Sequence, residues 1–538
     1  MDDSRVPFVV VGSGPSGVEA ASALLDEGQP VTLVDAGEPP SLVLPSAGGF
    51  LDLRRGDPGQ WKWLLGPDFE MFDGMEVASP KMRVPQHQYV FRGFAEANRL
   101  ETEDFSAVGS LARGGLSNAW GAGISCFDAE ELRCLPVDSA VMAAAYREIA
   151  QRIGVSGSDA DDLGGFHGRG LPLQPPGPLS PGPKRLLGNY RRRRDAPWAR
   201  GFALGHGRNA VLTEPLGGRS PCRRLGLCLW GCPGRAIYAA SYDLERLTAR
   251  PGFRYLGGMW AESLEVEADG VALELVDRAD GSRRRLRTSR LLLAAGALGS
   301  ARLVMRALQR IDRDGPLLTS PVMRFALFLP HRFGAAVEAE SFNLAQLSFA
   351  VQVDREPVGH ASGNLFPGSG IPVGELARHI PMARPAALVL SRLLAPAILL
   401  GNCFLPGGFG RHRLRLATSG ALQIRGGWES GYQAWTEALG RRLVRAFRGC
   451  GGWVLPGSVG LLAPGEDIHY AGTLPMRIRP EVGECDAEGG VVGLPGVFVV
   501  DAAALPLLPG RAHTFTAMAL ARVIGRKLAI SGHPSPRG

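Results

Sequence analysis

With 538 residues, 45% of them hydrophobic and 21% charged, the chain is long enough to bury a large core without disulfide staples and too apolar to stay disordered. Its 73 glycines and 41 prolines call for many loops and tight turns, and the length predicts two to four domains. The net charge of +7 comes largely from arginine runs at residues 191–194 and 283–285, which read as solvated loops; no nucleic-acid motif accompanies them, so no nucleic-acid partner is expected.

The chain opens MDDSR and enters an apolar run at once, with no n-region, h-region or cleavage site of a secretion signal. A cytoplasmic protein without a transmembrane segment is expected. Residues 6–11 (VPFVVV) read as a buried parallel strand, residues 16–27 as a helix closed by Gly28, and residues 31–34 (VTLV) as a second buried strand ending in Asp35. The intervening GSGPSG places Gly12, Gly14 and Gly17 at the strand-to-helix turn. That order suits a dinucleotide: Gly12 for the tight turn, Gly14 for close approach of a pyrophosphate, Gly17 for helix–strand packing, and Asp35 for the ribose hydroxyls. It does not separate FAD from NAD.

Residues 39–98 read as long excursions. Residues 139–153 predict a helix capped by Asp138, and residues 154–218 read as Gly-, Pro- and Arg-rich loop. A strand pair with an Ala268-Asp269-Gly270 turn spans residues 255–276; residues 291–295 form a buried strand followed by a helix to about Leu308. The apolar stretch at residues 386–405, interrupted by Arg392 and Pro396, predicts a buried helix or helix pair over the substrate site, with a monotopic membrane contact as the alternative. Residues 497–500 read as a strand and 514–530 as a helix. Most of the eight cysteines read as buried reduced thiols.

Four segments together resemble the glucose–methanol–choline (GMC) family of FAD oxidoreductases: GSGPSG; RGGLSNAWGAG at residues 113–123; AAGALGSARLVMRAL at 294–308; and HYAGTLPM from His469 with VFVVDAAALPLLPGRAHTFTAMALARVIG from Val497. The resemblance implies an α/β fold in which a discontinuous Rossmann-like FAD-binding domain (residues 1–308 and 456–538) carries an inserted α+β substrate-binding domain (309–455). It implies FAD against Gly114, Gly115, Ser117, Asn118, Gly296, Asp501 and Ala502, besides the fingerprint residues. His469 of the HxxGT segment matches the family histidine that takes the substrate proton, a role an imidazole suits. The family's second catalytic position falls on Ala512 in strict register and on His513 after a one-residue shift. No histidine lies in residues 113–123, so non-covalent FAD is expected.

Cys222, Cys228, Cys232 and Pro233 fit the ferredoxin spacing C-x2-C-x2-C-x3-C-P, with Leu225 at the second ligand position. Three thiolates would suit a three-iron iron–sulfur cluster, as the resemblance to cysteine-bearing bacterial sugar dehydrogenases implies; structural thiols are the alternative, and zinc fits poorly for lack of a fourth ligand. The resemblance implies oxidation of a primary or secondary alcohol (sugar, polyol or cyclic) to a carbonyl, with a dehydrogenase favoured over an oxidase and oxygen, a quinone or a redox partner as acceptor. The competing readings are an oxidase of a sterol-like or natural-product alcohol, a lyase or decarboxylase on the same fold, and a non-catalytic electron-transfer subunit.

Overall fold

A computed structural model describes residues 5–40, 48–72, 79–354 and 359–531. Three sequence-distant apolar runs build the first sheet. Strand β1 (Val6–Val11) pairs in parallel with β2 (Val31–Asp35) on one side and with the second half of Arg283–Leu293 on the other; Val497–Val499 then joins that strand in parallel. Val10 lies opposite Leu292, and Leu292 opposite Phe498. All of these positions but Phe498 are buried, as expected of parallel strands covered on both faces. Phe253–Gly257 extends the sheet beyond β2, and the antiparallel strands Met259–Glu267 and Gly270–Asp277 complete the other edge.

Helix α1 (Pro15–Asp26) packs on this sheet beside the C-terminal helix Thr514–Ser531. Gly525 makes the approach close: a Cβ there would stand 3.0 Å from the Ala20 carbonyl and the Ala23 methyl. Between the helices Glu19 is fully enclosed and paired to Arg152 and, at 3.7 Å, to Arg522. The start, middle and end of the chain thus share one core.

A second sheet is antiparallel, in the order Trp453–Val454, Val322–Phe328, Ile398–Phe404, His360–Pro367, Leu347–Gln352 and Phe202–His206. Helix Tyr432–Gly449 covers it, burying Leu439, Leu443, Ala446 and Phe447 at helical spacing. Phe447 meets Phe202, Phe325 and Phe349 at 5.5, 5.4 and 5.3 Å. A two-stranded ladder, Leu318–Thr319 on Tyr470–Ala471, bridges the region between the sheets.

Several sequence expectations need correction. Residues 154–218 are not all loop: Pro181–Arg193 is a helix, started by a proline at its first turn, with Leu186, Leu187 and Tyr190 buried. The arginines at 191–193 close that helix. Those at 283–285 lie on a strand, ion-paired with Glu262, Asp277, Glu265, Glu267 and Glu274 across the sheet. Tyr255 belongs to the parallel edge strand rather than to the hairpin. The apolar stretch at 386–405 splits into a helix, Arg384–Leu394, that leaves Val389 58% exposed, and the central strand Ile398–Phe404. The expected helical cover is therefore half strand, because a short apolar run alone does not distinguish the two. Among the described residues no helix is long and apolar enough to cross a membrane.

Candidate active site

Gly12 sits at φ +102°, and a Cβ there would run into the Ala294 carbonyl. A Cβ on Gly17 would strike the carbonyl of Gly12. Gly14 differs: nothing in the protein lies within 4 Å of the Cβ it lacks. Gly14 is also the N-cap of α1, whose first turn has no side-chain cap and no acidic residue. Its amides and dipole therefore face open space, which is how a helix N-terminus receives a phosphate. Gly115 approaches from the opposite wall, its missing Cβ 3.3 Å from the Gly14 Cα.

The groups around this cradle are ordered by one another. Ser13 donates through Oγ to Asp35 at 2.5 Å and accepts from the Gly114 amide at 2.8 Å. Tyr255 also donates to Asp35. Burial pushes the Asp35 carboxyl up to about 6. Ser117 donates to the Gly114 carbonyl and accepts from Ala240, while Asn118 donates to the carbonyls of Arg113 and Gly115. These two side chains shape the glycine turn rather than pointing away from it.

The third and fourth motif segments interlock behind the cradle. Asp501 accepts from Ser300 at 2.6 Å and from the Ala503 amide at 2.9 Å, capping a short turn at Ala502–Ala504. Its carboxyl is also raised to about 6 by burial. The Gly472 amide donates to the Ala502 carbonyl, and Thr473 donates to the carbonyl of Ala297, next to Gly296. The HxxGT segment is thereby tied to both flanking motifs.

His469 and His513 face each other, ring centres 4.9 Å apart at 82°. Phe404, at the end of a second-sheet strand, stacks on His469 at 4.6 Å and 19°. It is Ala512, instead, that stands nearest Gly123 of the glycine-rich segment. The one-residue shift thus places His513, not Ala512, against His469. The Nδ1 atoms of both rings are buried without a hydrogen-bond partner. Burial lowers the His469 imidazole to about 4; burial and then His469 hold His513 well below its usual value. Both rings are neutral at pH 7. Phe404 has no sequence signal, because its position depends on a strand that reads as helix.

Arg511 fixes the loop that carries His513. It is 1% exposed, lies over the Phe166 ring at 4.0 Å, and donates to the Cys126 carbonyl, Asp128 and Glu131. Replacing Arg511 by alanine leaves Glu131 enclosed without its cation. A loss of about 3–5 kcal/mol of stability is expected, read by denaturant unfolding.

Cys222, Cys228 and Cys232 lie near enough for their charges to act on one another but do not converge on a single point. Among the described residues no three His, Cys, Asp or Glu side chains are gathered to hold a metal ion. The Cys222 thiol accepts from the Arg224 amide, and the Cys232 thiol from Ala236 and Ile237. Burial pushes the Cys228 thiol up to about 12. Leu225, at the missing ligand position, bridges instead to Ser341. No single-metal site among the described residues supports the three-iron expectation.

A parallel nucleotide-fold sheet built from three parts of the chain, with a second antiparallel sheet set over a histidine pair, defines a GMC-type oxidoreductase fold. Residues 464–521 match the family model described as GMC oxidoreductase. The chain is 26% identical over 314 residues to 6'''-hydroxyparomomycin C oxidase of Streptomyces lividus, covering 57% of this chain and 51% of that protein. It is 27% identical over 320 residues to paromamine 6'-oxidase of Streptomyces fradiae, covering 57% and 50%. The matches span about half the length of these relatives. The crystal structure of pyridoxine 4-oxidase from Mesorbium loti superposes with a TM-score of 0.61 at 16% identity, over 99% of this chain and 100% of that one. The C-terminal segment is thus similar to the GMC oxidoreductases, a family that uses FAD, and the whole chain shares the fold of pyridoxine 4-oxidase.

Proposed function

We propose that the protein oxidises a primary or secondary alcohol of a sugar, polyol or cyclic molecule to the carbonyl, using FAD bound along Gly12, Gly14, Gly17, Gly114 and Gly115. The observation that carries this reading is the facing pair of neutral, buried imidazoles with unpartnered nitrogens. The cradle fits the cofactor because Gly14 leaves room where a pyrophosphate would meet the uncapped helix end. When bound, FAD supplies the acceptor for hydride leaving the carbinol carbon, chemistry that no side chain provides. His469 takes the hydroxyl proton. His513 holds the same oxygen from the second side, and Phe404 covers one face of the base and restricts water. Asp35 would meet the ribose, and the backbone at Gly296, Asp501 and Ala502 would border the cofactor. Ser117 and Asn118 hold its glycine-rich wall.

Two relatives bear the name oxidase, and the preference for a dehydrogenase rested on the cysteine cluster; oxygen is therefore the favoured acceptor. The three thiols have no redox role in this reading. The substrate class rests on the relatives named for paromamine and 6'''-hydroxyparomomycin C. The test is an aerobic screen of polyhydroxylated cyclic alcohols, scoring carbonyl product and hydrogen peroxide together. Carbonyl without peroxide would move the acceptor to a quinone or protein; neither product from any alcohol would end the reading.

The pH profile follows from the base. His469 works only when neutral, and burial has lowered its value to about 4. On this basis kcat/KM holds level from neutral pH down to about 5 and falls tenfold per unit below about 4, as protonation removes the base. An acid limb centred near 6.5 would mean a solvated histidine and contradict the assigned environment.

A further inference from the structure

The residue just before His469 has an unusual backbone. Ile468 stands at φ +58°, in the left-handed region that a β-branched side chain disfavours. Such a conformation persists only where its surroundings enforce it, and it tends to occur where a functional group must be aimed. The neighbours of Ile468 show what enforces it. The Asp467 carboxylate accepts the His469 amide at 2.9 Å, closing a tight turn across Ile468. Burial holds the Asp467 carboxyl well above the usual range, and the nearby Thr319 hydroxyl pulls it back.

Counting protons extends this chain. The Gly427 amide donates to Nδ1 of His412 at 3.2 Å, so that nitrogen carries no proton. In the neutral ring the proton then sits on Nε2, which lies 3.0 Å from Thr319 Oγ1 and donates to it. The Thr319 hydroxyl proton is then not used by His412 and is free to turn toward the nearby Asp467 carboxyl. His412 is 1% exposed and Thr319 fully buried; Phe105 and Trp428 hold the imidazole edge-on at 5.3 and 5.0 Å. The donors therefore converge from two sides: His412 donates to Thr319 beside Asp467, and the amide of the base donates to Asp467 itself. Thr319 sits opposite Tyr470 in the ladder, so the strand pair fixes the chain just beyond the turn.

We propose that Asp467 is the positioning residue for His469: supported by Thr319 and His412, it holds Ile468 left-handed and so aims the imidazole between Phe404 and His513. This rests on the reading of His469 as base. Asp467 works through the backbone and touches no reacting atom.

The test uses the full-length flavoprotein and three variants: Asp467→Ala, Asp467→Asn, and Asp467→Ala combined with Ile468→Gly. Two readouts are taken, hydrogen exchange at the His469 amide and the rate of flavin reduction by substrate, normalised to bound flavin. Asp467→Ala is expected to raise His469 exchange at least tenfold and to lower the reduction rate per flavin ten- to a hundredfold, with KM changed less than threefold. Asp467→Asn keeps an acceptor oxygen and is expected to stay within about fivefold of wild type in both. Ile468→Gly, which adopts the turn without strain, is expected to recover at least part of the rate lost in Asp467→Ala. If Asp467→Ala loses flavin and melts early while its rate per bound flavin matches wild type, the residue is structural and the proposal is overturned. Unchanged exchange at His469 overturns it as well. If no alcohol reduces the wild-type flavin, the oxidation reading fails by itself, and the exchange measurement still decides whether Asp467 holds the turn.

Discussion

His469→Ala is expected to lower kcat by about 10²–10⁴-fold while leaving flavin content and fold intact, the range that removal of a positioned general base produces. Its Nδ1 has no partner, and among the described residues the aromatic rings that meet the imidazole are Phe404 and His513. Its loss therefore costs chemistry more than stability. His513→Ala is expected to cost less, because His513 shares the oxygen without taking the proton. Its own value is likewise held well below the usual one, by burial and by His469. The double variant should fall little below His469→Ala alone, since residues acting as one unit are not additive. Stopped-flow flavin reduction reads all three. A His469→Ala enzyme within tenfold of wild type, with His513→Ala the more damaged, would reverse the assignment.

The second large effect concerns the cradle. Gly14→Val is expected to fold like wild type yet bind flavin at least about a hundredfold more weakly, on the order of 3 kcal/mol. An added Cβ meets no protein atom within 4 Å, and the N-cap conformation at φ −62° and ψ 176° suits any residue. What it fills is the space for the phosphates. Gly12→Val provides the contrast. That position has φ +102° and backbone against its Cβ, so strain of about 1–3 kcal/mol and overpacking of similar size fall on the fold itself. Flavin per chain and melting temperature separate the two: Gly14→Val loses only flavin, and Gly12→Val loses both. Full flavin in Gly14→Val would remove the cofactor from this cradle.

The parts of the fold that were legible are those where backbone need is written locally. GSGPSG and the strands around it are such a case. The Asp138 cap is another, its carboxylate accepting from the Ala140 and Val141 amides at the start of Ser139–Ile153. Elements whose fate depends on distant partners were not legible. Pro181–Arg193 looked like loop by composition and is a helix because three apolar side chains find a core. The strand Ile398–Phe404 looked helical until Val322–Phe328 and His360–Pro367 claimed it from either side. The candidate site divides in the same way. His469 was visible through its motif and His513 was visible with its register open. Phe404, Arg511, Thr319 and His412 join the site from separate segments and carry no local mark. The cysteine spacing was the converse case, a local pattern beside which no metal-ion site forms among the described residues.

The most direct measurement of the central claim is the anaerobic half-reaction: mix the flavoprotein with a polyhydroxylated cyclic alcohol without oxygen, and follow flavin absorbance and product together. Hydride transfer with His469 as base gives bleached flavin and one carbonyl per flavin, both slowed in His469→Ala. Product formed with the flavin still oxidised would contradict it and make the protein a lyase on an oxidoreductase fold.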